Sequence, residues 1–128
     1  MGVFGIGIDL VEVARIAAAI DKYGDAWARK IFTDRERGYC EKQHDSAIHY
    51  AARFAAKEAA AKALGTGIGK HAALQDLEVH HDENGAPQLL LHGAAKDFAK
   101  ERGIAHILIS LTHTKDHAAA NAVAISVS

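Results

Sequence analysis
The chain has 128 residues, 49% of them hydrophobic and 24% charged, with 15 Lys+Arg against 16 Asp+Glu and nine histidines. That length suits one domain, residues 1-128, and the composition excludes a disordered or collagen-like chain. A formal charge of −1 removes bulk attraction to nucleic acid or anionic membranes. The lone cysteine, Cys40, excludes an intrachain disulfide and a cysteine zinc site. No apolar run approaches the roughly 18 residues of a membrane span. The opening, MGVFGIGIDLVEV, has no basic segment before its apolar residues, so a secretory leader is not expected and a cytoplasmic location is.

Residues 3–9 alternate, with Phe4, Ile6 and Ile8 on one face and Gly5, Gly7 and Asp9 on the other. The second face is nearly bare backbone ending in a carboxylate, which suits close approach of something bulky. From Glu12 the period changes. Val13, Ile16, Ala17 and Ile20 mark an amphipathic helix that stops near Gly24, and a short helix follows around Trp27–Ile31. Thr33-Asp34-Arg35-Glu36 reads as a capping box opening a helix that holds Tyr39 and Cys40. After a polar loop at 43–46, an alanine-rich helix spans 47–64 and ends at Gly65-Thr66-Gly67-Ile68-Gly69. Strands are expected at 75–81 and 88–92, joined through Asp82-Glu83-Asn84-Gly85. A helix over 94–102 ends at Gly103. Residues 105–112 and 118–127 form a second hairpin pattern. This order argues an α+β fold, an antiparallel sheet packed on a long central helix.

The chemistry-bearing segment is Arg53-Phe54-Ala55-Ala56-Lys57-Glu58-Ala59-Ala60-Ala61-Lys62. On a helical wheel Phe54, Glu58, Ala61, Lys62 and Gly65 share one side, with Arg53 and Lys57 adjoining it. Two readings stand at this point. Glu58 and Lys62 form an ordinary surface pair worth about 0.2–0.5 kcal/mol, or Glu58 joins Asp9 around a hard divalent metal that holds an anionic substrate. The glycine loop lacks a phosphate-loop pattern and leaves a helix C-terminus, where the dipole disfavours phosphate. It reads as a helix cap, with a backbone-amide cradle as the alternative. His113 and His117 straddle a turn. A chain this short has only shallow clefts of its own, so a site shared between subunits would suit a large substrate.

Taken together, several segments resemble one family. They are Gly5-Ile6-Gly7-Ile8-Asp9-Leu10-Val11-Glu12 with Arg15-Ile16, then Arg53-Phe54-Ala55-Ala56-Lys57-Glu58-Ala59 with Lys62-Ala63-Leu64-Gly65-Thr66-Gly67. Asn84-Gly85-Ala86-Pro87 and Ser110-Leu111-Thr112-His113-Thr114 with Ala118-Ala119-Ala120 complete the set. Nearly end to end, the chain resembles the holo-(acyl-carrier-protein) synthases, the small type of 4′-phosphopantetheinyl transferase. Residues 43–49 do not match the pattern.

The resemblance implies transfer of the phosphopantetheine arm of coenzyme A to a serine of apo acyl carrier protein, releasing adenosine 3′,5′-bisphosphate. It also implies a homotrimer with coenzyme A bound between subunits. Asp9 and Glu58 would ligate Mg2+, and Lys62 would neutralise charge on the β-phosphate and leaving group. Arg53, Lys57, Gly65, Thr66, Gly67, Pro87, His113 and Thr114 would hold the nucleotide end. Arg15, Ile16 and Lys22 would meet the acidic carrier protein. The alternative from another class is a catalytically silent oligomeric module of the same fold that binds a nucleotide or carrier.

Overall fold
The computed structural model describes residues 1–127. In chain order it comprises β1 (Gly2–Glu12), α1 (Val13–Ile31), α2 (Asp34–Glu41) and α3 (Ser46–Leu64). A 3-10 turn at Leu74–Asp76 leads to β2 (Leu77–His81), β3 (Pro87–Leu91), α4 (Gly93–Glu101), β4 (Ile104–His113) and β5 (His117–Ser126). Two antiparallel sheets form: a three-stranded one in the order β1-β5-β4, and the β2-β3 hairpin. β1 runs longer than its alternating segment because β5 pairs with it from Gly2 opposite Ser126 to Glu12 opposite His117, with one irregularity between Val3 and Gly5. The first helix breaks at Gly24, which adopts φ 64° and ψ −149°. That left-handed backbone is open to glycine at little cost. Thr33 and Glu36 make the expected reciprocal cap on α2.

The alanines of α3 are buried on almost every side, which identifies it as the core helix rather than a surface one. Its approach to the sheet is set by two glycines. A Cβ on Gly5 would lie 2.2 Å from the Ala63 carbonyl oxygen, and one on Gly7 would lie 1.9 Å from that of Ala59. The bulky body that the bare face of β1 receives is therefore the α3 backbone. Two residues of strand advance about 6.7 Å and four residues of helix about 6 Å. β1 thus tracks α3, antiparallel to it, and its next inward residue, Asp9, arrives beside the Glu58 turn.

The opposite face of the sheet is apolar and open. Ile6, Ile8, Leu10 and Leu108 all project from it with more than half of their surface exposed. Cross-strand rows such as Ile6–Val123–Leu108 and Ile8–Asn121–Ser110 cross it.

Candidate active site
Asp9 and Glu58 line one cavity of about 470 Å³ together with Arg15, Trp27 and Phe54. Strand β1 brings Asp9, while α1 brings Arg15 and Trp27. The third helix brings Phe54 and, one turn later, Glu58. Lys62 sits one further turn along. Its ammonium donates to the Ile8 carbonyl at 2.9 Å and lies 3.4 Å from Asp9 Oδ1. Burial holds the Glu58 carboxyl above the usual glutamate range, Asp9 pushes it the same way, and Lys62 opposes both. Two carboxylates in mutual repulsion, with one ammonium between chain segments, gain from a divalent cation. The donors are all oxygens, as Mg2+ prefers when it completes its shell with water and phosphate. Among the described residues no group of three or more His, Cys, Asp or Glu side chains could hold a metal; Asp9 and Glu58 offer carboxylate oxygens at one cavity.

A second cluster surrounds Arg53, on another side of α3. Arg53 is 2% exposed. Its guanidinium lies 4.0 Å over the Tyr39 ring and donates from Nη2 to His81 Nδ1 at 3.1 Å. Tyr39 and His81 stack at 4.9 Å with 21° between their planes, and His49 meets both Tyr39 and His113 edge to face. Arg53, His81, Pro87 and His113 line a cavity of about 230 Å³. It shares no lining residue with the carboxylate cavity.

The structure thus brings together Asp9, Glu58 and Lys62 in one place and Arg53, Pro87 and His113 in another, while several expected ligands point elsewhere. Lys57 is fully buried; its ammonium pairs with Glu36 at 2.7 Å and donates to the Leu74 and Leu77 carbonyls. Its expected contact with the nucleotide is corrected: Lys57 holds α2 and β2 against α3. The Gly65 amide donates to the Lys62 carbonyl, and the Thr66 and Gly67 amides donate to that of Ala61. With those donors engaged, Gly65, Thr66 and Gly67 cap the helix and do not cradle a ligand through their amides. The Thr114 hydroxyl accepts from the Asp116 and His117 amides, closing the β4–β5 turn instead of facing the Arg53 cavity. Ile16 is 5% exposed and belongs to the core, so its expected contact with a carrier is also corrected. Arg15 and Lys22 are exposed. Seven residues apart, they fall on one side of α1, about 10 Å from each other.

Sequence reasoning missed Tyr39, His49 and His81 beside Arg53, and Trp27 in the carboxylate cavity. Only His49 left a trace, at i−4 from Arg53 on the same helix. The others arrive from separate elements.

Residues 5–122 match the family model described as the 4′-phosphopantetheinyl transferase superfamily. A holo-(acyl-carrier-protein) synthase of Solibacter usitatus is 46% identical over 112 residues, 88% of this chain and 90% of that one. The crystal structure of the Neisseria meningitidis holo-(acyl-carrier-protein) synthase superposes with a TM-score of 0.89 at 34% identity, covering 95% of this chain and 98% of that one. A Bacillus anthracis holo-(acyl-carrier-protein) synthase in complex with CoA (3′,5′-ADP) gives a TM-score of 0.81 at 35% identity, over 99% and 100% of the two chains. On this family match, and on the carboxylates and lysine gathered along α3, the chain belongs to the 4′-phosphopantetheinyl transferase superfamily.

Proposed function
We propose that this chain transfers the 4′-phosphopantetheine arm of coenzyme A to a serine of apo acyl carrier protein, as a Mg2+-dependent holo-(acyl-carrier-protein) synthase. The observation that carries the reading is that Asp9 and Glu58 line one cavity while Lys62 lies 3.4 Å from Asp9, within a chain alike nearly end to end to synthases of that name. Asp9 and Glu58 would hold the Mg2+. When bound, the metal neutralises diphosphate charge and polarises the phosphorus under attack. Lys62, already anchored on Asp9 and the Ile8 carbonyl, brings its ammonium to the charge that develops as the diphosphate bridge breaks and adenosine 3′,5′-bisphosphate leaves through its 5′-phosphate oxygen. Arg53 and His113 grip the nucleotide end, and Pro87 walls its cavity. Little covalent work falls to the chain in phosphoryl transfer, so these fixed charges and the in-line placement of the serine oxygen supply the acceleration.

A homotrimer with coenzyme A between subunits is part of the same proposal, and the separation of the two clusters supports a shared site. Arg53 and Glu58 are five residues apart on α3, so they diverge by about 140° around the helix axis. Their cavities are separate, and one ligand reaches both kinds of group most simply across two chains. The open apolar sheet face around Ile6, Ile8 and Leu108 is a surface that a second copy would cover. Lys62 lines a cavity on that face with Ile6, Ile8 and Val123, which puts the catalytic ammonium at the proposed boundary.

Arg15 and Lys22 offer the carrier protein a pair of cations beside the carboxylate cavity. Cytoplasm is the compartment the reading requires, and a free buried Cys40, with its thiol pushed up to about 12 by burial, suits a reducing one. Among the described residues no helix is long and apolar enough to cross a membrane. The test incubates the protein with apo carrier, coenzyme A and Mg2+ and weighs the carrier. A gain of one phosphopantetheine arm that chelator abolishes supports the reading. Coenzyme A binding without any gain on any carrier would point to the silent module instead.

A further inference from the structure
Arg53 is a buried cation without a counter-ion. It is 2% exposed, its Nε has no hydrogen-bond partner, and among the described residues no carboxylate pairs with it. A buried charge left in that state is costly and calls for an anion. Arg53 lines two cavities, one with Tyr39, His49, His81 and His113, the other with Arg35, Tyr39, Lys42, His80 and His81. The charged and titratable groups that share these cavities with His81 are Arg53 and His49 from α3, Tyr39 and Arg35 from α2, Lys42 just after α2, and His113 from β4. His80 and Asp82 adjoin it in its own segment. All but Tyr39 and Asp82 are cationic or become so on protonation.

The Arg53 Nη2–His81 Nδ1 bond fixes one proton position. Guanidinium only donates, so His81 Nδ1 accepts and the neutral ring carries its hydrogen on Nε2. Resting on the coenzyme A reading above, we propose that this cluster is a proton-linked phosphate site. A phosphate seated on Arg53 takes over the guanidinium donors, Nδ1 of His81 is released, and it gains one proton from solvent to donate to the same phosphate. No bond to phosphorus changes. Burial and then Arg53 hold both His81 and His49 below the ordinary histidine range in the empty cluster. An arriving dianion offsets the second cause and raises the proton affinity of both rings.

The assay is calorimetric titration of the full chain near pH 7 in two buffers of different ionisation enthalpy, which counts the protons taken up per ligand. It compares the wild type with His81→Gln, whose amide oxygen still accepts from Arg53 but cannot take a proton. The difference between them reads the imidazole, apart from any proton that the phosphate itself exchanges. We expect about half a proton or more of extra uptake per coenzyme A in the wild type. Its affinity would then weaken by up to about tenfold more per rising pH unit than that of the variant. Dephospho-coenzyme A keeps the diphosphate and lacks the 3′-phosphate. Loss of the extra uptake with it assigns the 3′-phosphate to Arg53, and retention assigns the diphosphate; either result supports a phosphate on the cluster. Equal proton counts for wild type and His81→Gln, with coenzyme A bound to both, overturn the proposal and leave the transferase reading standing. If coenzyme A binds to neither, both fall.

Discussion

Replacing Gly7 with alanine sets a methyl carbon 1.9 Å from the Ala59 carbonyl oxygen and 2.9 Å from both the Ala59 carbonyl carbon and the Ala63 nitrogen. Carbon and oxygen tolerate about 3.3 Å, so β1 and α3 must part by roughly 1.4 Å at this point. Neither side can rotate away, because the new atom meets backbone in a buried helix and its own strand pairs with β5 without interruption from Gly5 to Glu12. Overpacking that forces backbone shifts costs about 1–3 kcal/mol, and the absence of any flexible neighbour places Gly7→Ala near the upper limit. For a domain of this size about 3 kcal/mol corresponds to a fall of roughly 10–15 °C in melting temperature. Urea unfolding followed by circular dichroism, at one fixed chain concentration, should show a lower midpoint with an unchanged slope. Gly2→Ala is the control. Its new carbon would meet only Ser126 Oγ, at 3.9 Å, and it should stay within about 0.5 kcal/mol of wild type. If Gly7→Ala and Gly2→Ala unfold together, the glycine-dictated approach of β1 to α3 is refuted. The reason given for Asp9 reaching Glu58 goes with it.

Glu58→Gln should cut transfer at least about a hundredfold, the rate equivalent of losing several kcal/mol of metal-assisted stabilisation, while the fold persists by circular dichroism; full activity would remove Glu58 as a ligand. The Glu58 carboxyl titrates above the usual range, so its stability contribution is present in acid and lost as pH rises through that value. Mg2+ competes with the proton for the carboxylate, so metal affinity, followed by calorimetry, should start to fall on acidification at a pH above the ordinary glutamate range. Arg15→Glu should raise KM for carrier protein about tenfold at low salt, with kcat kept at saturating carrier; an unchanged KM would refute the docking face. Lys57→Met leaves the buried Glu36 carboxylate without its cation and should cost about 3–5 kcal/mol by urea unfolding.

Much of the fold was legible because the periods are clean. Alternation in β1, the alanine run of α3, the Thr33–Glu36 box and the Asp82–Gly85 turn are local signals, and each became the element expected. The sheet's division into two was not legible, because strand pairing depends on partners distant in sequence. The same limit governs the site. Asp9, Glu58 and Lys62 carry their own pattern, yet Lys57 sits next to Glu58 in sequence and points into the core toward Glu36. One residue of helix rotates a side chain by about 100°, enough to turn an expected ligand into an internal strut. Tyr39, His81 and Trp27 escaped notice because each lies on an element whose own period explains it.

The divergence of Glu58 and Arg53 around one helix has a genetic consequence. In the proposed trimer, the carboxylates of one chain serve the same coenzyme A as the guanidinium of its neighbour. A chain lacking Glu58 and another lacking Arg53 are each inert alone, but co-assembled they rebuild an intact centre wherever each lends the group that the other has lost. Two silent alleles then complement one another.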